Sequence, residues 1–101
     1  MPYEIYETET FSKLYGAMGK VEREWVNKVK LQLIENSGVG KPLRFNWFRE
    51  KKFGDKRLYY LIYQDLSKIL LVSFGSKREQ QKIIDHIVKN KDRYRKIIES
   101  A

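Results

Sequence analysis

The stretch FREKKFGDKRLYYLIYQDLSKILLVSFGSKREQQK, residues 48–82, decides the fold. Its apolar, aromatic and β-branched runs are cut by Gly54-Asp55 and by Asp65-Leu66-Ser67, so strands are expected at about 45–53, 57–63 and 69–74. Connections this short imply an antiparallel meander, because parallel neighbours need a crossover of roughly a dozen residues or more. The ends of the runs carry Arg49, Lys51, Lys52, Lys56, Arg57, Lys77 and Arg78. Like charges gathered on a small surface repel one another unless a polyanion or an acidic partner relieves them, which makes this segment the place to seek function.

Upstream, residues 3–7 (YEIYE) alternate and read as a short opening strand. Thr10 or Ser12 is expected to cap a brief helix whose face is Phe11, Leu14, Tyr15 and Met18. A second helix follows, with Val21, Trp25, Val29 and Leu33 recurring every four residues through about Glu35. The two form a helical hairpin lying on the sheet. The segment NSGVGKP, residues 36–42, is a connecting loop; it lacks the GxxxxGK[ST] spacing of a phosphate loop. Downstream of Lys77 the period turns helical, with a stripe of Ile83, Ile84, Ile87 and Val88 that can continue through Tyr94, Ile97 and Ile98. The expected fold class is α+β, a small antiparallel sheet with a helical hairpin on one face, in the order β-α-α-β-β-β-α, leaving the other face as a concave surface.

The 101 residues are expected to form one domain, 1–101. Apolar runs are far too short to span a bilayer, and the acidic, aromatic start MPYEIYETE lacks the character of a signal peptide, so a cytoplasmic, membrane-free protein is expected. Without cysteine there is no disulfide, thiolate metal site or thiol nucleophile. The net charge of +8 is uneven: through Gly38 there are five Lys/Arg against six Asp/Glu, and beyond it sixteen against seven. Attraction to nucleic acid is the commonest use of such asymmetry, although an acidic protein or an anionic membrane would be attracted too.

Strand alternation puts Trp47, Arg49, Lys51 and Phe53 on one face and Phe48, Glu50 and Lys52 on the other. On the next strand Leu58, Tyr60 and Ile62 suit the helix-covered core, which leaves Arg57, Tyr59 and Tyr63 for the open face, expected beside Arg49 and Lys51. Guanidinium binds phosphate bidentately and aromatic faces stack on unpaired bases, so this constellation suits single-stranded RNA. Preorganised cations would stabilise the transition state of 2′-hydroxyl attack on a phosphodiester. His86, the one histidine, is read as structural, Glu50 falls on the wrong face, and no cluster has metal-ligand spacing. A blander reading also fits: edge cations that discourage aggregation, and tyrosines that merely pack.

The parts WFREKKFGD, KRLYYLIY, ILLVSF and GSKREQQ, in that order and spacing, resemble the RelE/ParE toxin superfamily, in particular its HigB-like and archaeal RelE-like members. The resemblance covers about residues 43–85, and the strand-helix-helix start and the loop GVGKPL agree with it in order and length. It implies a RelE-like fold and the toxin of a type II toxin-antitoxin pair, an endoribonuclease that cleaves mRNA on the ribosome by 2′-hydroxyl attack, without metal or other cofactor. Its partner would be a cognate acidic antitoxin. The resemblance gives Arg49, Arg57 and Arg78 the catalytic roles, with Arg57 and Arg78 nearest the scissile phosphate and Lys77 matching the lysine before Arg78. Lys51, Lys77, Trp47 and Tyr59 complete the expected RNA-binding surface. Two positions depart from the pattern: Ile84 stands where RelE has a tyrosine, and Trp47 where a lysine is usual. ParE-like members of the same superfamily inhibit DNA gyrase and are not nucleases, so a gyrase inhibitor or an inactive antitoxin-bound homologue is the alternative.

Overall fold

The computed structural model describes residues 2–101. Strand β1 (Glu4–Glu7) leads through helices α1 (Glu9–Ala17) and α2 (Lys20–Glu35) to β2 (Lys41–Pro42), β3 (Phe48–Phe53), β4 (Lys56–Tyr63) and β5 (Lys68–Ser76), and the chain closes with α3 (Gln80–Lys89) and α4 (Lys91–Glu99). The five strands form one sheet in the order β1-β5-β4-β3-β2. The meander β3-β4-β5 is antiparallel, as the short turns require; β1 joins β5 in parallel, and the short β2 pairs with β3 at the opposite edge. Two elements thus exceed the expected order: β2 within the loop, and a break at Asn90 that divides the last helix.

Helices α1 and α2 cover one face. Phe11, Val26, Val29 and Leu33 meet Leu58, Tyr60, Ile69 and Leu71 there, all essentially without exposure, and burying each aliphatic side chain contributes about 1.5–3 kcal/mol. Helix α1 is capped by Thr8, two residues before Thr10 and four before Ser12: Thr8 Oγ1 accepts from Phe11 N–H at 3.0 Å and donates to the Val72 carbonyl at 3.1 Å. That carbonyl lies at a bulge. Tyr59 pairs with Ser73 but Tyr60 with Leu71, so Val72 is the extra residue. The bulge resets the alternation of β5, and Phe74 therefore joins Ile69 and Leu71 under the hairpin while Val72 faces the other way.

The second face is not an open surface. Phe48, Tyr59, Leu61, Leu70 and Val72 are covered by Ile84 and Ile87 of α3 and by Tyr94 and Ile98 of α4. The reason is the strand composition, since these positions are too apolar to stay wet and the C-terminal helices carry the matching stripe. What remains exposed is the end of the sheet beyond this second core.

Candidate functional site

A two-residue turn at Gly54-Asp55 joins β3 to β4, with Gly54 supplying a positive φ of 61° at its first position. Such a turn fixes the register: Phe53 opposes Lys56, Lys52 opposes Arg57, Glu50 opposes Tyr59 and Arg49 opposes Tyr60. Opposed residues share a face. Arg57 therefore stands with Lys52 and Glu50, not with Arg49 and Lys51, and Glu50 is on the Arg57 face after all. Along β3 this face runs from Phe48, fully buried, through Glu50, 3% exposed, to the exposed Lys52. The core gives way to solvent in two residues.

The turn also gathers the start of the last helical segment. The Asp55 carbonyl accepts from Lys77 N–H at 2.7 Å and from Arg57 Nη1 at 3.2 Å. A single 3₁₀ turn, Lys77–Glu79, thereby sets Lys77 and Arg78, both exposed, beside the hairpin end. Its geometry is fixed by Ser76, whose N–H and hydroxyl both donate to Glu79 Oε1 at 3.2 Å. Gly75 opposes Arg57, and a Cβ there would lie 2.8 Å from Ile83 Cδ1, so the glycine lets α3 close over this end. Among the described residues, Lys52, Lys56, Lys77 and Arg78 enter no ion pair. These unneutralised cations at one end of the sheet form a ready anion-binding surface.

Behind them lies a buried polar cluster. Glu50 Oε2 accepts from Gln80 Nε2 at 2.8 Å and lies 3.6 Å from Arg57 Nε, with both side chains of the ion pair buried. The separation is too long for a hydrogen bond. Arg57 Nε is consequently a buried donor without a protein partner, and the Tyr59 hydroxyl is another. Burial, and then the Glu50 carboxylate, push the Tyr59 hydroxyl up to about 12, so it remains a proton-bearing donor at neutral pH.

The remaining sequence-derived candidates are dispersed. Arg49 sits on the α1/α2 face as a clamp, its Nε donating to the Asn46 carbonyl at 3.1 Å and its Nη1 to the carbonyls of Gly40 at 2.8 Å and Gly38 at 3.4 Å. Lys51 shares that face, opposite Leu58. Trp47 precedes β3 at its far end, stacks on Phe45 at 4.6 Å and lines an open groove of about 980 Å³ with Arg49, Tyr63 and Arg95. Tyr59 is fully buried, so its ring offers no face to a base; the expected stacking role is corrected by the cover of α3 and α4. His86 is exposed on α3 and borders a smaller cavity of about 310 Å³. Alternation alone did not reveal Glu50 and Gln80. The register implied by the two-residue turn would have placed Glu50 on the Arg57 face.

No family model and no curated protein matches the sequence. Solved structures do. A double arginine-to-alanine mutant of the E. coli toxin RelE in the free state superposes with a TM-score of 0.76 at 20% identity, covering 89% of this chain and 98% of that one. The toxin-antitoxin complex RelBE2 from Mycobacterium tuberculosis gives 0.65 at 21%, covering 75% and 99%. The archaeal RelE–RelB complex from Pyrococcus horikoshii gives 0.56 at 13%, covering 75% and 96%. The chain has the RelE-like fold. That agreement spans almost the whole length of each of these three proteins.

Proposed function

We propose that this chain is the toxin of a toxin-antitoxin pair and cleaves mRNA on the ribosome by metal-independent attack of a 2′-hydroxyl on the adjacent phosphate. The observation that carries the reading is the meeting of Arg57 and the Lys77-Arg78 turn at the Asp55 carbonyl, with unpaired lysines around them. Arg78 and Lys77 can reach RNA phosphates directly, and Arg57, anchored in the sheet, would stabilise the dianionic phosphorane-like transition state from beneath. Lys52, opposite Arg57, extends the positive track. The RelE-like fold supports the reading, because the solved proteins that share it include toxins bound to antitoxins. The antitoxin proposed here is acidic and covers this cationic end or displaces α4. No helix of the described residues is long and apolar enough to cross a membrane, and the proposed setting is the cytoplasm, with the chain acting as one domain.

Induced expression followed by primer extension tests the reading. Growth arrest with codon-linked cuts is expected, together with their loss in Arg78→Ala. Arrest without cuts would refute it. A second reading, a non-enzymatic member of the fold such as a gyrase inhibitor or an antitoxin-bound inactive homologue, is favoured by one observation, the burial of Arg57 against Glu50. Inhibition of gyrase supercoiling by the purified chain would support that alternative.

A further inference from the structure

At the other end of the sheet from Lys77 and Arg78 lies the open groove of about 980 Å³, bordered by the loop 36–38, the start of β3 and the first turn of α4. The six residues of β3 separate it from the Gly54 turn, roughly 20 Å at about 3.3 Å per residue. One wall is an aromatic platform. Trp47 lines the groove and Phe45 does not; the two rings are 4.6 Å apart and inclined by 7°, so the exposed phenyl ring backs the indole and stiffens it. Polar groups form the rim. Ser37, Asn46 and Gln64 offer hydroxyl and amide groups, and Asn36 offers its amide nitrogen, since its Oδ1 accepts from Gly38 N–H at 3.0 Å.

The charges of the groove do not cancel. Arg95 is neutralised by Asp65 and Glu99, while Lys91 and Asp92 contribute one charge of each sign. Arg49 is the surplus. Its bonds to the carbonyls of Gly38, Gly40 and Asn46 hold the guanidinium still without neutralising it, because among the described residues it enters no ion pair, and Nη2 takes part in none of those bonds. A fixed guanidinium, an aromatic face and an amide rim match the phosphate, the base and the base edge of one unpaired nucleotide. An acidic peptide fits less well, since it would meet Asp65 and Asp92 on the same wall and gain nothing specific from a flat indole.

From this geometry we infer that the groove is a second RNA site, which takes one unpaired nucleotide with its base on Trp47 and its phosphate on Arg49. The inference rests on the ribonuclease reading above for the source of the RNA. The nucleotide held here is not the one at the scissile bond: Arg49 and Arg57 stand on opposite faces of the sheet, and the groove opens at the end away from the Gly54 turn. Arg49 thereby serves RNA binding at a distance from the reaction. Messenger and ribosomal RNA both present unpaired nucleotides, and the test separates them.

The test titrates a Trp25→Phe chain, in which Trp47 is the remaining indole, with a short oligoadenylate and with an abasic oligomer of the same length and charge. The oligoadenylate is expected to quench the fluorescence of Trp47 and the abasic oligomer to leave it unchanged; equal quenching by both, or none by either, would overturn the inference. On programmed ribosomes Trp47→Ala is expected to raise KM about 10-fold at unchanged kcat. Where that variant does not melt cooperatively, ultraviolet crosslinking of the parent chain on the same ribosomes decides: a crosslink from residues 45–47 to mRNA or to ribosomal RNA names the source of the base, and none to either would overturn the site. Cleavage at the parental KM by folded Trp47→Ala would overturn the site and leave the nuclease standing. Base-dependent quenching by a chain that cleaves no mRNA would leave the site standing and overturn the nuclease.

Discussion

Arg57 and Glu50 are buried counter-charges, so their single replacements are not equivalent to losing one surface charge. Removing Arg57 leaves a carboxylate, 3% exposed, with no counter-charge. Arg57→Ala is expected to destabilise the fold by about 3–5 kcal/mol, whereas an Arg57→Met/Glu50→Leu double variant loses far less; urea midpoints compare them. Arg78 is exposed and unpaired, so its removal reports on RNA contact without a folding penalty. Tyr59 behaves differently. Its hydroxyl has no partner, and Tyr59→Phe is expected to keep or raise stability at pH 7. The ordinary value of 10.0 is raised to about 12 in the folded state. The unfolded chain releases this proton first, so the contribution of Tyr59 to stability is complete below about pH 10 and fades as pH climbs toward 12. Equilibrium unfolding across that window should fall less steeply in Tyr59→Phe than in the parent.

At the scale of elements, the junction of β1, α1 and β5 depends on Thr8, which caps the helix and satisfies the bulge carbonyl of Val72. Thr8→Ala is expected to cost about 1–2 kcal/mol by denaturant unfolding. Helix α4 rests on Ile98, which is fully buried, and Ile98→Ala should cost about 2–5 kcal/mol by the same measure. Most of these elements were legible in the sequence. The meander followed from Gly54-Asp55 and the apolar runs, and α2 ends at Glu35 as its four-residue spacing indicates. The faces were less legible. Alternation orders the faces within β3 and within β4 but does not relate the two, whereas the turn couples them and sets Arg57 with Glu50 and Lys52 rather than with Arg49 and Lys51. The open face fails for the same kind of reason: the sequence displays the apolar stripe of the last helices, but not its return onto Tyr59, Leu61 and Leu70. The bulge at Val72 leaves no mark in a run of aliphatic residues, and β2 is held by pairing with Arg49 and Glu50 and not by any propensity of Lys41-Pro42.

For the molecule as a whole, part of the positive charge that follows Gly38 is brought by the fold to the end of the sheet, where Lys52, Lys77 and Arg78 are exposed around a buried Arg57. Engagement of about four phosphates predicts that log affinity for single-stranded RNA falls with log salt at a slope of about −3, which filter binding across a salt series would show. A flat dependence would mean that the cationic end is not the contact surface. The most direct measurement of the central claim is cleavage of a defined mRNA on purified, programmed ribosomes by the parent chain and by Arg78→Ala. The account predicts codon-linked cuts ending in a 2′,3′-cyclic phosphate with the parent, and their loss in the variant while its melting curve is unchanged. Intact mRNA with the folded parent chain, or equal cutting by both proteins, would contradict it.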